Sequence, residues 1–206
     1  MIDREIEDIN IEDNNNDDQG AESVKSFIFE IVKVLIISLI IIIPIRAYVV
    51  QPFYVDGDSM EPNFSDGQYL VVDEIGYRFK EPQRGDIVIF HPPNNPKVYY
   101  IKRMIGLPGE VVDIKDGVIR VFAKDSTEAL IIDEQKYLSA DFQLRPSEKD
   151  HVVLADDEYY LLGDNRQSSL DSRRLGPINV SMIKGRVVLR AFPFDEFTVI
   201  KTPIYN

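Results

Sequence analysis

Val98-Tyr99-Tyr100-Ile101-Lys102-Arg103-Met104-Ile105, closed by the turn Gly106-Leu107-Pro108-Gly109, is a run of β-branched, aromatic and long apolar side chains interrupted by two cations. That composition fits a pleated, half-buried strand. Successive side chains on a strand point to opposite faces, so Lys102 and Arg103 are expected to diverge. The same composition recurs on either side in short runs separated by Gly, Pro and Asp: Tyr69 to Val72, Asp86 to Phe90, Glu158 to Leu162 and Ile183 to Phe192. Val111 to Ile114 and Val118 to Phe122 flank Lys115-Asp116-Gly117, a hairpin signal. From Pro52 onward the chain therefore reads as mainly β, in antiparallel strands.

The N-terminal part obeys different rules. Residues 1–24 contain nine carboxylates and one cation, Arg4, with few large apolar side chains. Burial there cannot offset the entropy of ordering, so a disordered acidic tail is expected. From Phe27 to Ile45 the chain is apolar except for Glu30, Lys33 and Ser38. Nineteen helical residues span roughly 28 Å, close to the hydrocarbon thickness of a bilayer. A transmembrane anchor is expected over 25–50. A cleavable export signal would begin basic and end at small residues, whereas this segment begins acidic and runs on into Arg46, Tyr48 and Pro52. Lys25 and Lys33 on one side against Arg46 on the other favour a cytoplasmic N-terminus.

Of the net charge of -12, the first 24 residues carry -8, and the remainder is only mildly acidic. Nucleic acid is not an expected partner, because its binding depends on a basic surface. The chain has no cysteine and two histidines, His91 and His151. This excludes disulfides, a thiol nucleophile and thiolate or three-histidine metal sites. No cofactor and no metal are expected. Residues 51–206 have the size of one catalytic domain, with a less regular excursion at 123–157.

Ser59 sits in Gly57-Asp58-Ser59-Met60-Glu61-Pro62, and Lys102 follows 43 residues later. A serine hydroxyl is a poor nucleophile until a base takes its proton, and a lysine serves only when neutral. Free lysine titrates near 10.4, so an apolar strand around Lys102 is the setting that would lower it by desolvation.

These two blocks and a third, Gly163-Asp164-Asn165-Arg166-Gln167-Ser168-Ser169-Leu170-Asp171-Ser172-Arg173, resemble in content and order the type I signal peptidases, membrane-tethered serine proteases with a Ser/Lys dyad. Pro82-Gln83-Arg84-Gly85-Asp86-Ile87-Val88-Ile89-Phe90 extends the likeness, which covers about Phe27 to Phe197 with 123–157 poorly matched. The resemblance implies a β-barrel-like catalytic domain of antiparallel sheets behind one transmembrane helix. It also implies location in the cell membrane, single-pass, with the catalytic domain on the outer face. Ser59 would be the nucleophile and Lys102 the base, while Ser169 would orient Lys102 and Asp171 with Arg173 would form a supporting ion pair. Ser59 and Gly57 mark the oxyanion position; many family members have serine where this chain has Gly57, so one hydroxyl donor is missing. Phe53, Val55, Tyr100 and Ile101 are the expected walls of a shallow substrate pocket. The implied substrates are exported preproteins with small residues at -1 and -3, and membrane lipid is a further partner. Phe192, Phe194 and Phe197 suit either a membrane interface or core packing.

Three rival readings stay open on sequence. Self-cleaving repressors of the damage response share the dyad and a related β domain but carry a DNA-binding region in place of the apolar segment. His91 could serve Ser59 as base instead of Lys102. The body could also be an anchored binding module with vestigial catalytic residues.

Overall fold

The computed structural model describes residues 16–44, 50–203 and 205, in two compact units divided at residue 45. The first is helix α1 (Asn16–Pro44). Its Lys25–Ile43 stretch, of mean hydropathy 2.7, is long and apolar enough to cross a membrane. Side chains from Phe27 to Ile43 are largely exposed. The helix begins inside the segment expected to be a polar tail. Starting a helix is costly but extending one adds a hydrogen bond for each residue fixed, so the apolar span carries the helix back to Asn16. Residues 1–15 of the expected tail and 45–49 of the expected anchor lie outside the described residues.

The second unit is mainly β and antiparallel. Its strands are β1 (Val50–Tyr54), β2 (Tyr69–Asp73), β3 (Ile87–Phe90), β4 (Tyr100–Gly106), β5 (Val111–Lys115), β6 (Val118–Phe122), β7 (Ala129–Ile131), β8 (Asp150–Val153), β9 (Glu158–Leu162), β10 (Ile178–Asn179), β11 (Ile183–Phe192) and β12 (Thr198–Val199). A one-turn helix, α2 (Ser172–Leu175), lies between β9 and β10. The larger sheet runs β1-β2-β11-β3-β4-β9-β10, with β12 on β11, and the smaller runs β7-β6-β5-β8. The larger sheet is a curled half-barrel. Among the described residues β1 and β10 end its order without pairing to each other.

β3 shows why the sheet forms. All four of its residues are buried. Ile87 and Ile89 join Val55, Met60, Phe64, Leu70, Val72 and Val187, while Val88 and Phe90 join Met104, Tyr159, Leu161 and Ile178. The period of two thus feeds two cores at once, and each full burial contributes about 1.5–3 kcal/mol. A third core links the two sheets through Ile105, Tyr160 and Leu162 on one side and Val112, Ile114, Ile119 and Val121 on the other. Gly106 permits that approach, because a Cβ there would lie 2.5 Å from the Val112 side chain. The hairpin between β5 and β6 turns at Asp116 and Gly117, whose φ values of 56° and 76° suit the right-handed strand twist.

The stretch 123–157, expected to be irregular, supplies β7 and β8, the two edges of the smaller sheet. It also carries short 3-10 turns at Glu134–Lys136 and Ala140–Phe142. Near the C-terminus, Ile200 packs on the core around Val72, Thr202 Oγ1 donates to Asp86 Oδ1 at 2.7 Å, and Tyr205 packs against the core linking the two sheets. Its ring stands edge-on to Tyr137, 6.3 Å between centroids.

Candidate active site

β1 hands the chain to Val55, a core residue whose N–H donates to Gln68 O at 2.9 Å. The backbone then turns at Gly57, where φ is +92°, a conformation that favours glycine. Met60 and Phe64, both almost fully buried, anchor the far side of the turn in the core. Ser59 is held between these two anchors.

A second loop locks the first. Asn165 donates its backbone N–H to Ser59 O at 3.1 Å and its side-chain amide to Asp58 O at 3.2 Å. Ser168 Oγ lies 3.1 Å from both Asp58 carboxylate oxygens, so that carboxylate is turned towards Ser168. Asn63 Nδ2 donates to Asp164 Oδ2 at 2.8 Å. Asp164 is itself buried and receives Arg103 through Nε at 2.7 Å and Nη2 at 2.6 Å, a two-point contact between planar groups. Gly163 begins this loop because nothing larger fits. A Cβ there would lie 2.1 Å from Ser169 Oγ and 2.6 Å from Ser59 O.

β4 supplies the amine. Lys102 pairs in register with Val88 and Arg103 with Ile87, so the two cations leave the strand in opposite directions. Lys102 is 3% exposed, and its Nζ lies 2.7 Å from Ser59 Oγ and 2.8 Å from Ile101 O. Neither partner carries a charge. Burial pushes the Lys102 amine down to about 8; Asp171 and Asp164 pull the other way, while Arg173 adds to the lowering.

Asp171 and Arg173 form an ion pair, at 2.8 Å and 2.9 Å. Asp171 is the N-cap of α2, accepting the Arg173 N–H at 3.3 Å, and Arg173 lies in the helix. The short helix brings residues two apart onto one carboxylate. Asp171 also accepts the Gly163 N–H at 3.0 Å, which ties it to the loop holding Ser59. Burial alone would raise its carboxyl, yet Arg173 and this amide hold it below the usual range. Arg173 also pairs with Glu148, and the buried Arg166 with Glu134, both contacts reaching into the 123–157 stretch.

Ser169, expected to orient Lys102, is buried beside Gly163, but its Oγ has no hydrogen-bond partner among the described residues. It stands near enough to Asp171 to help hold that carboxyl down without meeting hydrogen-bond geometry. Gly57 departs from its expected oxyanion role, since its N–H is given to Asp66 Oδ1 at 2.9 Å. The tight turn that a positive φ permits aims this amide back into its own loop. Among the described residues no acceptor takes the Ser59 N–H. His91 does not meet Ser59: its Nδ1 lies 3.1 Å from Val98 O and its ring lies 4.3 Å from that of Tyr99.

A groove of about 300 Å³ opens on Ser59 and Lys102. Phe53, Val55, Tyr100 and Ile101 all line it, as do Tyr54, Asp56 and Tyr99, which sequence reasoning passed over. Two unpaired backbone edges face this region. Among the described residues β1 pairs only with β2, and the first residues of β4, Tyr100 to Lys102, pair only with β3 because β9 joins at Arg103.

Comparisons with known proteins show the family. The signal peptidase I of Bacillus licheniformis is 34% identical over 180 residues, covering 87% of this chain and 96% of that protein. Signal peptidase IB of Staphylococcus aureus (strain COL) is 31% identical over 182 residues, covering 84% and 94%. A crystal structure of a signal peptidase I from Enterococcus faecalis V583 is 28% identical, with a TM-score of 0.41, covering 52% of this chain and 97% of that one. The family profile described as signal peptidase, peptidase S26, matches residues 28–192, most of the chain. This chain, with its apolar N-terminal helix and β body, belongs to the signal peptidase family, peptidase S26.

Proposed function

We infer that this protein is a membrane-anchored serine endopeptidase that removes signal peptides from exported preproteins. The observation that carries this reading is the 2.7 Å contact between Ser59 Oγ and the buried Lys102 Nζ. With the amine near 8, about a tenth is neutral at pH 7 and half at pH 8. The neutral amine takes the Ser59 proton as Oγ attacks the scissile carbonyl. The ammonium so formed returns that proton to the departing amine, leaving an acyl-enzyme and a neutral Lys102. Lys102 then takes a proton from water, whose hydroxide attacks the ester, and gives it back to Ser59 as the acyl chain leaves.

The surrounding groups have supporting roles. The Ser59 N–H is available to the developing oxyanion. The Ser169 hydroxyl, unengaged at rest, is the group at hand to hold Lys102 once Ser59 has given up its proton. The open edges of β1 and of Tyr100 to Lys102 suit a substrate chain lying between them as an extra strand, which places alternate side chains against Phe53, Val55 and Ile101. Shallow walls select small residues at -1 and -3 because bulky ones overlap them.

The stretch Lys25–Ile43 is the membrane anchor, with the N-terminus cytoplasmic and the catalytic body on the outer face. Lipid also meets an aromatic rail on the body: Tyr69, Phe192 and Phe194 are edge-to-face neighbours 5.5–6.0 Å apart, and Phe194 is 81% exposed.

The test is cleavage of a preprotein by the full chain in detergent. The intact protein and His91→Ala are expected to cleave, and Ser59→Ala and Lys102→Ala to lose at least about a thousandfold in rate. Cleavage by Ser59→Ala, or none by the intact chain, would defeat the reading and favour an anchored binding module.

A further inference from the structure

Asp56 lines the groove three residues before Ser59, with its side chain exposed. Among the described residues its carboxylate meets no hydrogen-bond donor and no cation. The other two charged groups of the groove are answered: Asp58 takes the Ser168 hydroxyl with both oxygens, and Lys102 is buried against Ser59. Burial alternates from Phe53 to Asp56, with Phe53 and Val55 turned inward and Tyr54 and Asp56 outward. Tyr54 and Asp56 thus share one side of an extended segment. Tyr54 is 55% exposed and lines the same groove as this unanswered carboxylate. A ring face beside a carboxylate is a pairing that attracts a cationic side chain and leaves an acidic one unpaired.

We propose that Asp56, with Tyr54 beside it, is a specificity determinant that favours substrates bearing Lys or Arg next to the scissile bond and disfavours Asp or Glu there. The inference rests on the peptidase reading above. A bound peptide in extended form presents alternate side chains to opposite sides. Those facing Phe53 and Val55 must be small, and those between them face Tyr54 and Asp56. The groove then reads size on one side and charge on the other.

The experiment measures kcat/KM of the full chain in detergent on otherwise identical preprotein peptides carrying Lys, Gln or Glu at -2, +1 or +2. At one or more of these positions the order Lys, Gln, Glu is expected, with Lys about three- to fivefold above Glu, the scale of an exposed charge pair. Asp56→Asn is expected to bring the ratio within about twofold and Asp56→Lys to invert it, whereas Asp125→Asn, on a distant turn, leaves it in place. The preference should also shrink at about 1 M salt, where charges are screened within about 3 Å. A flat response in the intact chain that still cleaves, or a ratio that survives Asp56→Asn, overturns the charge selection alone. Absence of cleavage, or equal cleavage by Ser59→Ala, overturns the peptidase reading and this inference with it.

Discussion

Lys102 and Arg103 are consecutive residues of β4, both at least 96% buried, yet they are given opposite company. Arg103 has the Asp164 carboxylate at 2.6 Å and the Tyr137 ring at 4.1 Å, while among the described residues Lys102 has a hydroxyl and a carbonyl within hydrogen-bond reach and the Tyr100 ring at 5.6 Å. A buried charge is tolerated when it is paired and costly when it is not. One side of the strand therefore stabilises a permanent cation that braces the loop around Ser59, and the other favours a neutral amine.

Activity follows from that asymmetry. The base works only when deprotonated, so kcat/KM is expected to climb with pH through a midpoint near 8, the value to which burial lowers Lys102. Lys102→Arg keeps the charge but cannot shed it, so it should be inactive across the whole range. A pH–rate profile of intact protein and variant checks both. A midpoint near 10 would mean the amine is freely hydrated.

Gly163 is the tightest point of the site. A methyl at Gly163 would sit 2.1 Å from Ser169 Oγ and 2.6 Å from Ser59 O, and must push one of them aside. Gly163→Ala is expected to lower kcat about a hundredfold, with KM changed far less, because misplacement by about 1 Å is felt mainly in the chemical step. Steady-state kinetics on one preprotein peptide separates the two constants.

Asp171 gives a stability signature. Its folded carboxyl titrates below the usual range, so its stabilisation is present above about pH 4 and is lost as pH falls through the lower folded value. Asp171→Asn is expected to cost about 2 kcal/mol at neutral pH and to flatten the acid limb. Urea unfolding between pH 3 and pH 7 measures both effects.

Tyr99 closes part of the groove, its ring 5.1 Å from Phe53 and 4.3 Å from His91. Tyr99→Ala removes that wall. Peptides with Val or Leu in place of Ala at -1 or -3 should gain about tenfold relative to the parent peptide, a contrast that competition cleavage reads directly.

Much of this arrangement was legible in the order of residues. Strands β3, β4, β9 and β11 announce themselves by β-branched and aromatic runs, and the Asp116-Gly117 turn by its chemistry. The blocks around Ser59 and Lys102 single out both residues in the sequence, and the fold brings their side chains to 2.7 Å. Other features were hidden because they depend on partners far along the chain. The carboxylate that takes the Gly57 amide, nine residues away, is not marked by any local pattern. α2 is a single turn, too short for helical periodicity, so the order of residues does not mark Asp171 as a cap and Arg173 as a helical residue. β7 is only Ala-Leu-Ile and β8 only Asp-His-Val-Val, too short for a period of two to stand out, and their pairing to β6 and β5 defines them. The exposed carboxylate of Asp56 gives no signal until the groove around it is seen.

Thr202 and Tyr205 close over a body whose first strand lies about 150 residues earlier in the chain. Thr202 ties down Asp86 at the start of β3, and Tyr205 packs beside Tyr137, the ring that covers Arg103. During synthesis an emerging chain would hold Ser59 and Lys102 long before it holds these clasps. The cover over Arg103 is therefore completed by residues made about 100 positions after it.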